Sequence, residues 1–437
     1  MKEFLRSASS KVPVRTAIEL LFVFVPKLLT GAGTILINLV LLRCMDAEQF
    51  GVLGICTTTI LLVDGIVGSA VDMGVMKQAP LFRESDPDTF HGIQREAFLA
   101  KGVAGLLLLA PLLVFRDPLS EALFHRQGLG GVIALTCVTC LLFLLWRTTQ
   151  LQLQLEGRFR AYGTAEIIHG LLRFGGIAIL IVTQMVEPLT VLLAMAVPPF
   201  VLLAVWAFKN SGGILTKKAP QPTIRHLYSV LSWYLLTFGL GAVISRMDIY
   251  LLARFSDLRA VGLYSAAQTL ALLVQLAGTY VGVVFGPKVA PLIEQGRFAA
   301  YFRTFQTGLI ATSVAIYFLF QCLWAFGADA LFPARYLEAG PLLNILLIGS
   351  LAGFATFPLT LTFVMFVRPR ALFAIDCIYF PVLIVLYFRL LPQYGAIGAA
   401  WITAGANLSR AILIQVLAWS WASELPQRPQ ALAVASS

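Results

Sequence analysis

Among the ionisable residues that interrupt long apolar runs in this 437-residue sequence are the cations Lys27, Arg173, Arg246 and Arg410, and the acids Asp64, Asp72, Asp248 and Asp376. A charged side chain at mid-bilayer costs about 2.5–3.5 kcal/mol on insertion scales, so each reads by default as a functional position. Buried cations suit an anionic ligand such as a diphosphate or an acidic sugar. A carboxylate at mid-depth suits proton or sodium coupling, because its ionisation depends strongly on its surroundings. Lys27, Arg246, Arg173 and Arg410 are therefore the candidate substrate-binding residues, and Asp64 and Asp248 the candidates for a coupling ion. Ion pairing competes with these readings: Lys27 has Asp64 or Asp72 as possible partners, and Asp248 has Arg254. Arg246 and Asp248, two residues apart, point to different faces of one helix. Asp72 and Asp376 lie nearer the ends of their runs, within reach of water.

Other chemistry is scarce. Cys137 and Cys140 form a lone C-x-x-C, with no second pair or His cluster to complete a metal site. The six cysteines lie mostly in apolar stretches, where a free thiol behaves as a small apolar side chain. No G-x-S-x-G, H-E-x-x-H or Walker A run is present. A membrane polymerase, ligase or acyltransferase needs an acid, base and nucleophile gathered near one face. The sequence predicts no enzyme and no cofactor, so energy must come from an ion gradient, the membrane potential or the ligand's own gradient. His169, one turn before Arg173, reads as a structural hydrogen-bonding residue. Trp146, Trp233, Tyr234, Tyr250 and Tyr264 read as interfacial anchors, and Tyr280 lies deep enough to stack on a sugar.

Such residues must be carried by helices that cross a membrane. The chain is 59% hydrophobic and 12% charged, with mean hydropathy +0.84. Soluble domains are roughly 45–50% apolar and about 25% charged. This composition covers a lipid-facing surface, not a water-facing one. About 20 apolar residues cross a bilayer core, and twelve runs qualify, near 17–42, 51–76, 97–115, 130–149, 163–183, 189–208, 228–253, 262–286, 304–327, 341–366, 371–391 and 397–419. The first run extends too far for a cleavable signal and reads as a retained helix.

The net charge of +10 raises nucleic acid as a partner, but the Lys and Arg residues are dispersed between apolar runs. With the N-terminus inside, 21 of the 32 Lys and Arg fall in inside segments and 7 in outside ones. This is the positive-inside bias, and it predicts that both termini are cytoplasmic. The outside connections are all too short for a catalytic domain.

The sequence also repeats. Residues Leu41 to Leu81 align without gaps on Leu252 to Leu292, at a constant spacing of 252 − 41 = 211. The telling matches are Arg43/Arg254, Asp46/Asp257, Gly51/Gly262 and the exit Lys77/Lys288, Ala79/Ala290, Pro80/Pro291. Spans 2 and 8 therefore correspond and run the same way. This predicts a parallel pseudo-two-fold repeat of two six-helix lobes, residues 1–208 and 228–437, joined by a cytoplasmic linker over 209–227. Transporters built on such repeats bind substrate between the halves.

Four stretches in order, MDAEQFGVLGI, LQLEGRFRAYGTAEI, RMDIYLLARFSDLRAVGLYSAAQ and LPQYGAIGAAWITA, resemble the polysaccharide-type (Wzx-like, PST) flippases of the multidrug/oligosaccharidyl-lipid/polysaccharide (MOP) superfamily. The resemblance implies an all-α, twelve-helix, two-lobed fold with a central cavity lined largely by helices 1, 2, 7 and 8. It implies a lipid-linked oligosaccharide substrate, commonly on undecaprenyl diphosphate, moved across a bacterial inner membrane for polysaccharide, O-antigen or exopolysaccharide synthesis. Multidrug exporters of the same superfamily often carry an acid in helix 1, where this chain has Lys27. Peptidoglycan-precursor flippases usually have fourteen helices, two more than fit here. The alternative on the same fold is a drug or metabolite cation antiporter, which needs a net acidic cavity. Membrane lipids, and H+ or Na+ as a coupling ion, complete the expected partners; nucleic acid is not among them.

Overall fold

The computed structural model describes residues 14–124, 127–209, 217–294, 298–331, 333–362 and 369–424. Among them, all regular structure is helical. Helix 1 is Val14–Cys44. Helix 2 starts as Ala47–Val63, passes through a π-helical turn at Asp64–Gly68 and continues as Ser69–Gln78. Helices 3 to 6 are Pro87–Val114, Gly130–Leu155, Phe159–Val182 and Pro188–Lys209, with a short helix Arg116–Phe124 between helices 3 and 4. Helices 7 to 10 are Gln221–Phe255, Leu258–Glu294, Phe298–Leu331 and Ala339–Thr362. The last helical stretch, Pro369–Glu424, breaks at Gly395, whose φ of 51° and ψ of −132° lie outside helical space. Its two arms are helices 11 and 12.

Ten helices among the described residues are long and apolar enough to cross a membrane. With Leu258–Glu294, and with the split at Gly395, they make the twelve that the sequence predicts. Helices suit this environment because every backbone N–H and C=O is satisfied within the segment. The protein is a multi-pass, all-α membrane protein.

Helix starts carry their own signals. Asp86 accepts hydrogen bonds from the Thr89 hydroxyl (2.5 Å) and the Thr89 backbone N–H (3.1 Å), and Pro87 opens helix 3. These bonds hold the Asp86 carboxyl below its ordinary pKa, the hydroxyl contributing most. Proline suits the first helical position because the N–H it lacks would be unpaired there anyway.

The repeat is visible in the same terms. Asp46 accepts from Gln49 N–H and Asp257 accepts from Ala260 N–H, each at 2.8 Å. The two caps are the same distance along the repeat. Gly51 and Gly262 then meet: a Cβ on Gly51 would strike the Leu258 carbonyl, and one on Gly262 would strike the Ala47 carbonyl. Ala47 and Leu258 are themselves repeat partners, so the contact is reciprocal. One turn on, a Cβ on Gly54 would meet the Ser265 side chain, again its own counterpart. The starts of helices 2 and 8 thus cross backbone to backbone about a local two-fold. Tyr336 locks this end by donating to the Met45 carbonyl at 3.1 Å.

By internal contacts the chain divides into two compact units, Met1–Cys44 with Cys56–Val243, and Met45–Ile55 with Ile244–Ser437. Helices 2 and 7 each contribute to both. In the first unit, small residues let helices 1 and 5 approach closely. A Cβ on Gly163 would collide with the Phe22 carbonyl, and one on Gly33 would sit against the Phe174 ring. Small residues serve this purpose where lipid provides no hydrophobic drive for association. In the second unit, Gly349 of helix 10 lies against the Ala404 backbone of helix 12.

Candidate functional site

Each unit holds its own group of polar residues, and the two groups differ in kind.

In the first unit the charges form a connected chain. Asp64, Gly68 and Asp72 recur at four-residue spacing on helix 2, and the missing side chain at Gly68 leaves room for the Asp64 carboxylate. The π-helical turn starts at Asp64 itself; such turns are frequent at functional sites. Arg147 of helix 4 reaches both acids, Nε to Asp64 and Nη2 to Asp72, each at 3.9 Å. Lys101 of helix 3, fully buried, donates to the other oxygen of Asp72 at 2.6 Å. Across helices 1 and 5, Thr30 donates to Glu166 at 3.3 Å and Arg173 donates to Thr34 at 3.0 Å. Thr30 and Thr34 are one turn apart, as are Glu166, His169 and Arg173 in sequence, so the two helices match polar residue to polar residue. Lys27, exposed, places its ammonium 5.6 Å from the centre of the buried Tyr162 ring. Such an arrangement is a cation–π contact.

In the second unit the polar residues surround space. A cavity of about 420 Å³ is lined by Arg246 from helix 7, Gln268 from helix 8, Asp376 and Tyr387 from helix 11, and Asn407 and Arg410 from helix 12. Pockets of about 300–1,000 Å³ are the usual size for small-molecule sites. Arg410 pairs with Asp376 at 3.1 Å. Arg246 makes no hydrogen bond or ion pair among the described residues, and its side chain is partly exposed at the cavity. Asp248 turns the other way. It is buried, and its carboxylate accepts from the Tyr264 hydroxyl at 2.7 Å, Gln268 at 3.3 Å and the Ile249 N–H at 2.8 Å. Thr403 contacts the same oxygen at 3.5 Å and exchanges hydrogen bonds with Tyr264 and Tyr387. This hydroxyl network backs the cavity wall, since Gln268, Tyr387 and Thr403 also line it.

Of the six candidates, Arg246 and Arg410 come together at one cavity, with Asp248 behind it. Lys27, Asp64 and Arg173 belong to the first unit. Asp64 and Asp72 do not pair with Lys27 as the competing reading had it; Arg147 and Lys101 occupy them. Asp248 pairs with Tyr264 rather than Arg254. Asp376 is buried at 3% exposure and held by Arg410, not open to water at a helix end. Trp146 and Tyr264, read as interfacial anchors, are buried; Trp146 stacks on His169 with ring centres 6.0 Å apart, and Tyr264 serves Asp248. The Tyr280 side chain lies outside the described ones.

Sequence reasoning missed Lys101, Arg147 and Glu166. Lys101 and Arg147 fall near the inner ends of the apolar runs 97–115 and 130–149 and so read as cytoplasmic charges; helix 3 begins at Pro87 and helix 4 runs on to Leu155, which puts both residues well inside their helices. The Asp86-Pro87 start was the available signal for helix 3. All six cysteines are free thiols, and no cluster able to hold a metal occurs among the described residues.

A family model described as polysaccharide biosynthesis protein matches residues 22–291, more than half of the chain. Among solved structures, the chain is similar to the lipid II flippase MurJ, with TM-score 0.65 and 13% identity over 91% of this chain and 87% of that one. It is similar to a mutant of the MATE transporter VcmN of Vibrio cholerae, with TM-score 0.59 and 14% identity over 95% and 98% of the two chains. An inward-facing multidrug resistance MATE family transporter of the MOP superfamily gives TM-score 0.60 and 12% identity over 94% and 99%. No curated protein matches. At these identities the structural likeness carries the fold, and it agrees with the superfamily resemblance read from the four sequence stretches. A match across residues 22–291 carries the rest: this chain belongs to the polysaccharide biosynthesis protein family.

Proposed function

We propose that this protein is a flippase that moves a lipid-linked oligosaccharide across the bacterial plasma membrane by alternating access, supplying polysaccharide, O-antigen or exopolysaccharide synthesis. The substrate is an anionic polyprenyl-diphosphate-linked glycan, with undecaprenyl as the carrier. The observation that carries this reading is the cavity of about 420 Å³ in the second unit, where Arg246 and Arg410 share one lining, Asp376 pairs with Arg410, and Asp248 stands behind the wall. Two guanidinium groups at one cavity, Arg246 free of any ion pair among the described residues, suit a phosphate-bearing head through charge-assisted hydrogen bonds. Amide, hydroxyl and aromatic groups beside the arginines (Gln268, Asn407, Thr403, Tyr379, Tyr387) suit sugar hydroxyls and ring faces. Family membership supports the pathway, and the similar lipid II flippase supports a lipid-linked substrate.

In this reading Arg246 is the primary head-group contact and Arg410 the second. Lys27, exposed beside Tyr162, offers a further cation, while Arg173 is committed to Thr34 and positions helix 1 against helix 5. Asp64 and Asp248 remain the candidates for coupling to H+ or Na+. The lobes are residues 1–208 and 228–437, joined through 209–227, and both termini are cytoplasmic.

The test is reconstitution. Proteoliposomes carrying a labelled undecaprenyl-diphosphate oligosaccharide in one leaflet should transfer it to the other, and Arg246→Ala should suppress the transfer. Transport of organic cations, with no transfer of the lipid-linked glycan, would instead establish the antiporter.

A further inference from the structure

Next to the polar cavity of the second unit lies a second depression of different character. It is an open groove of about 550 Å³ formed by helices 9, 10 and 12. Its lining is aliphatic apart from Ser313, Tyr317, Thr356 and Gln415. Two of these hydroxyls are turned inward onto backbone: Ser313 donates to the Leu309 carbonyl at 2.9 Å, and Thr356 donates to Ala352 at 2.9 Å. What the groove presents outward is Ile310, Val314, Leu408, Ile412 and Val416, each more than two-fifths exposed.

The groove and the cavity are neighbours. Thr356 of helix 10 and Ala411 of helix 12 line both. The wall between them is made of small residues. At Gly353, which lines the cavity, a Cβ would meet nothing within 4 Å, so the cavity is open beside helix 10 there. Helix 10 is nevertheless fixed in place, because Gln306 of helix 9 donates to the Ala355 carbonyl at 2.8 Å. A site with two cations and hydroxyls on one side of a thin wall, and an aliphatic trough on the other, matches a molecule that is anionic at one end and hydrocarbon at the other.

We propose that the groove on helices 9, 10 and 12 holds the first part of the prenyl chain of the same molecule whose diphosphate and sugars enter the cavity, with the junction at Thr356 and Ala411. The proposal rests on the functional reading above and deepens it. The hydrocarbon tail is then a recognised part of the substrate, not merely dissolved in the surrounding bilayer. The groove's adjacency to the charged cavity, with Thr356 and Ala411 in both linings, distinguishes this occupant from bulk lipid. A phospholipid also joins a phosphate to a hydrocarbon chain, so competition between prenyl diphosphate and phospholipid decides which of them the groove holds.

Photolabelling of the full chain in nanodiscs tests the proposal. Two probes are used at equal mole fraction, a prenyl diphosphate and a phosphatidylcholine, each with a diazirine near the start of its chain. Adducts of the prenyl probe are expected on Ile310, Val314 or Ile412, suppressed at least fivefold by unlabelled prenyl diphosphate and not by added phospholipid. Ala411→Trp, which fills the junction, should cut the competed labelling at least fivefold; Ile412→Trp, at the groove face, should do the same if the first variant fails to fold. Equal labelling by phosphatidylcholine, or labelling that prenyl diphosphate does not compete, overturns the proposal and leaves an ordinary lipid contact. Failure of the functional reading looks different: no labelled glycan crosses proteoliposomes of the unmodified chain. Flipping that depends on Arg246, with prenyl adducts only on other helices, sinks the groove and spares the cavity.

Discussion

The charges on helices 2, 3 and 4 of the first unit face one another, whereas Arg246 of the second faces an open volume. From Lys101 through Asp72 and Arg147 to Asp64, each charge has an opposite within 4 Å. In the second unit Arg246 and Arg410 share a cavity lined by Asp376, and among the described residues Arg410 is ion-paired and Arg246 is not. A charge already answered by protein has little left for a ligand and much to lose if its partner goes. A charge at the wall of a void has the opposite profile. The same residue types therefore signal integrity of the fold in one place and recognition in the other.

The sharpest way to break this contrast is at Lys101. Removing one member of a buried pair leaves an uncompensated charge, at a cost of about 3–5 kcal/mol. Lys101→Ala should accordingly cause the largest loss of thermal stability in detergent, and Lys101→Met with Asp72→Leu should recover part of it. An unchanged melting temperature for Lys101→Ala would dissolve the distinction.

Arg246→Ala should do the reverse. A hydrogen bond to a charged group is worth about 1.5–3 kcal/mol, so flipping should fall roughly ten- to hundredfold while the melting temperature holds. Between these extremes stands Asp248, a buried acid behind the cavity wall. Asp248→Asn keeps the size but weakens the bond from Tyr264, with an expected loss of about 1.5 kcal/mol by thermal unfolding. If it is also the coupling site, the dependence of flipping on pH or sodium should disappear in that variant.

The smallest effects are expected at the caps. Asp46→Ala and Asp257→Ala should each cost about 1 kcal/mol, read as faster hydrogen exchange at the starts of helices 2 and 8. Equal losses would sharpen the view that the two copies of the repeat start alike, both caps lying in the second unit.

Most of that framework was legible in the sequence. Twelve apolar runs, the break before Gly395 and the pairing of helices 2 and 8 all follow from composition and self-similarity. The site was less legible, for physical reasons. Hydropathy finds the part of a helix that lipid must cover, and its runs for helices 3 and 4 place Lys101 and Arg147 near their inner ends, where a cation reads as cytoplasmic. Partner choice was also out of reach. Asp64 and Asp72 had Lys27 as a plausible neighbour in sequence terms, and only the packing of helices 2, 3 and 4 assigns them to Lys101 and Arg147. Arg246 was identified correctly as facing away from Asp248 because two residues on a helix are about 200° apart. Its meeting with Arg410 required coordinates.

The crossing at Gly51 and Gly262 has a consequence for how such a chain can diversify. Each copy of the repeated segment supplies both a bare α-carbon and the carbonyl that lies against the other copy's. Neither copy can therefore accept bulk at this place without a concession from its twin, whereas their lipid-facing flanks are free to drift apart. Gly54→Ala offset by Ser265→Gly is the kind of paired change such an arrangement permits, and evolution of one half is here tethered to the other.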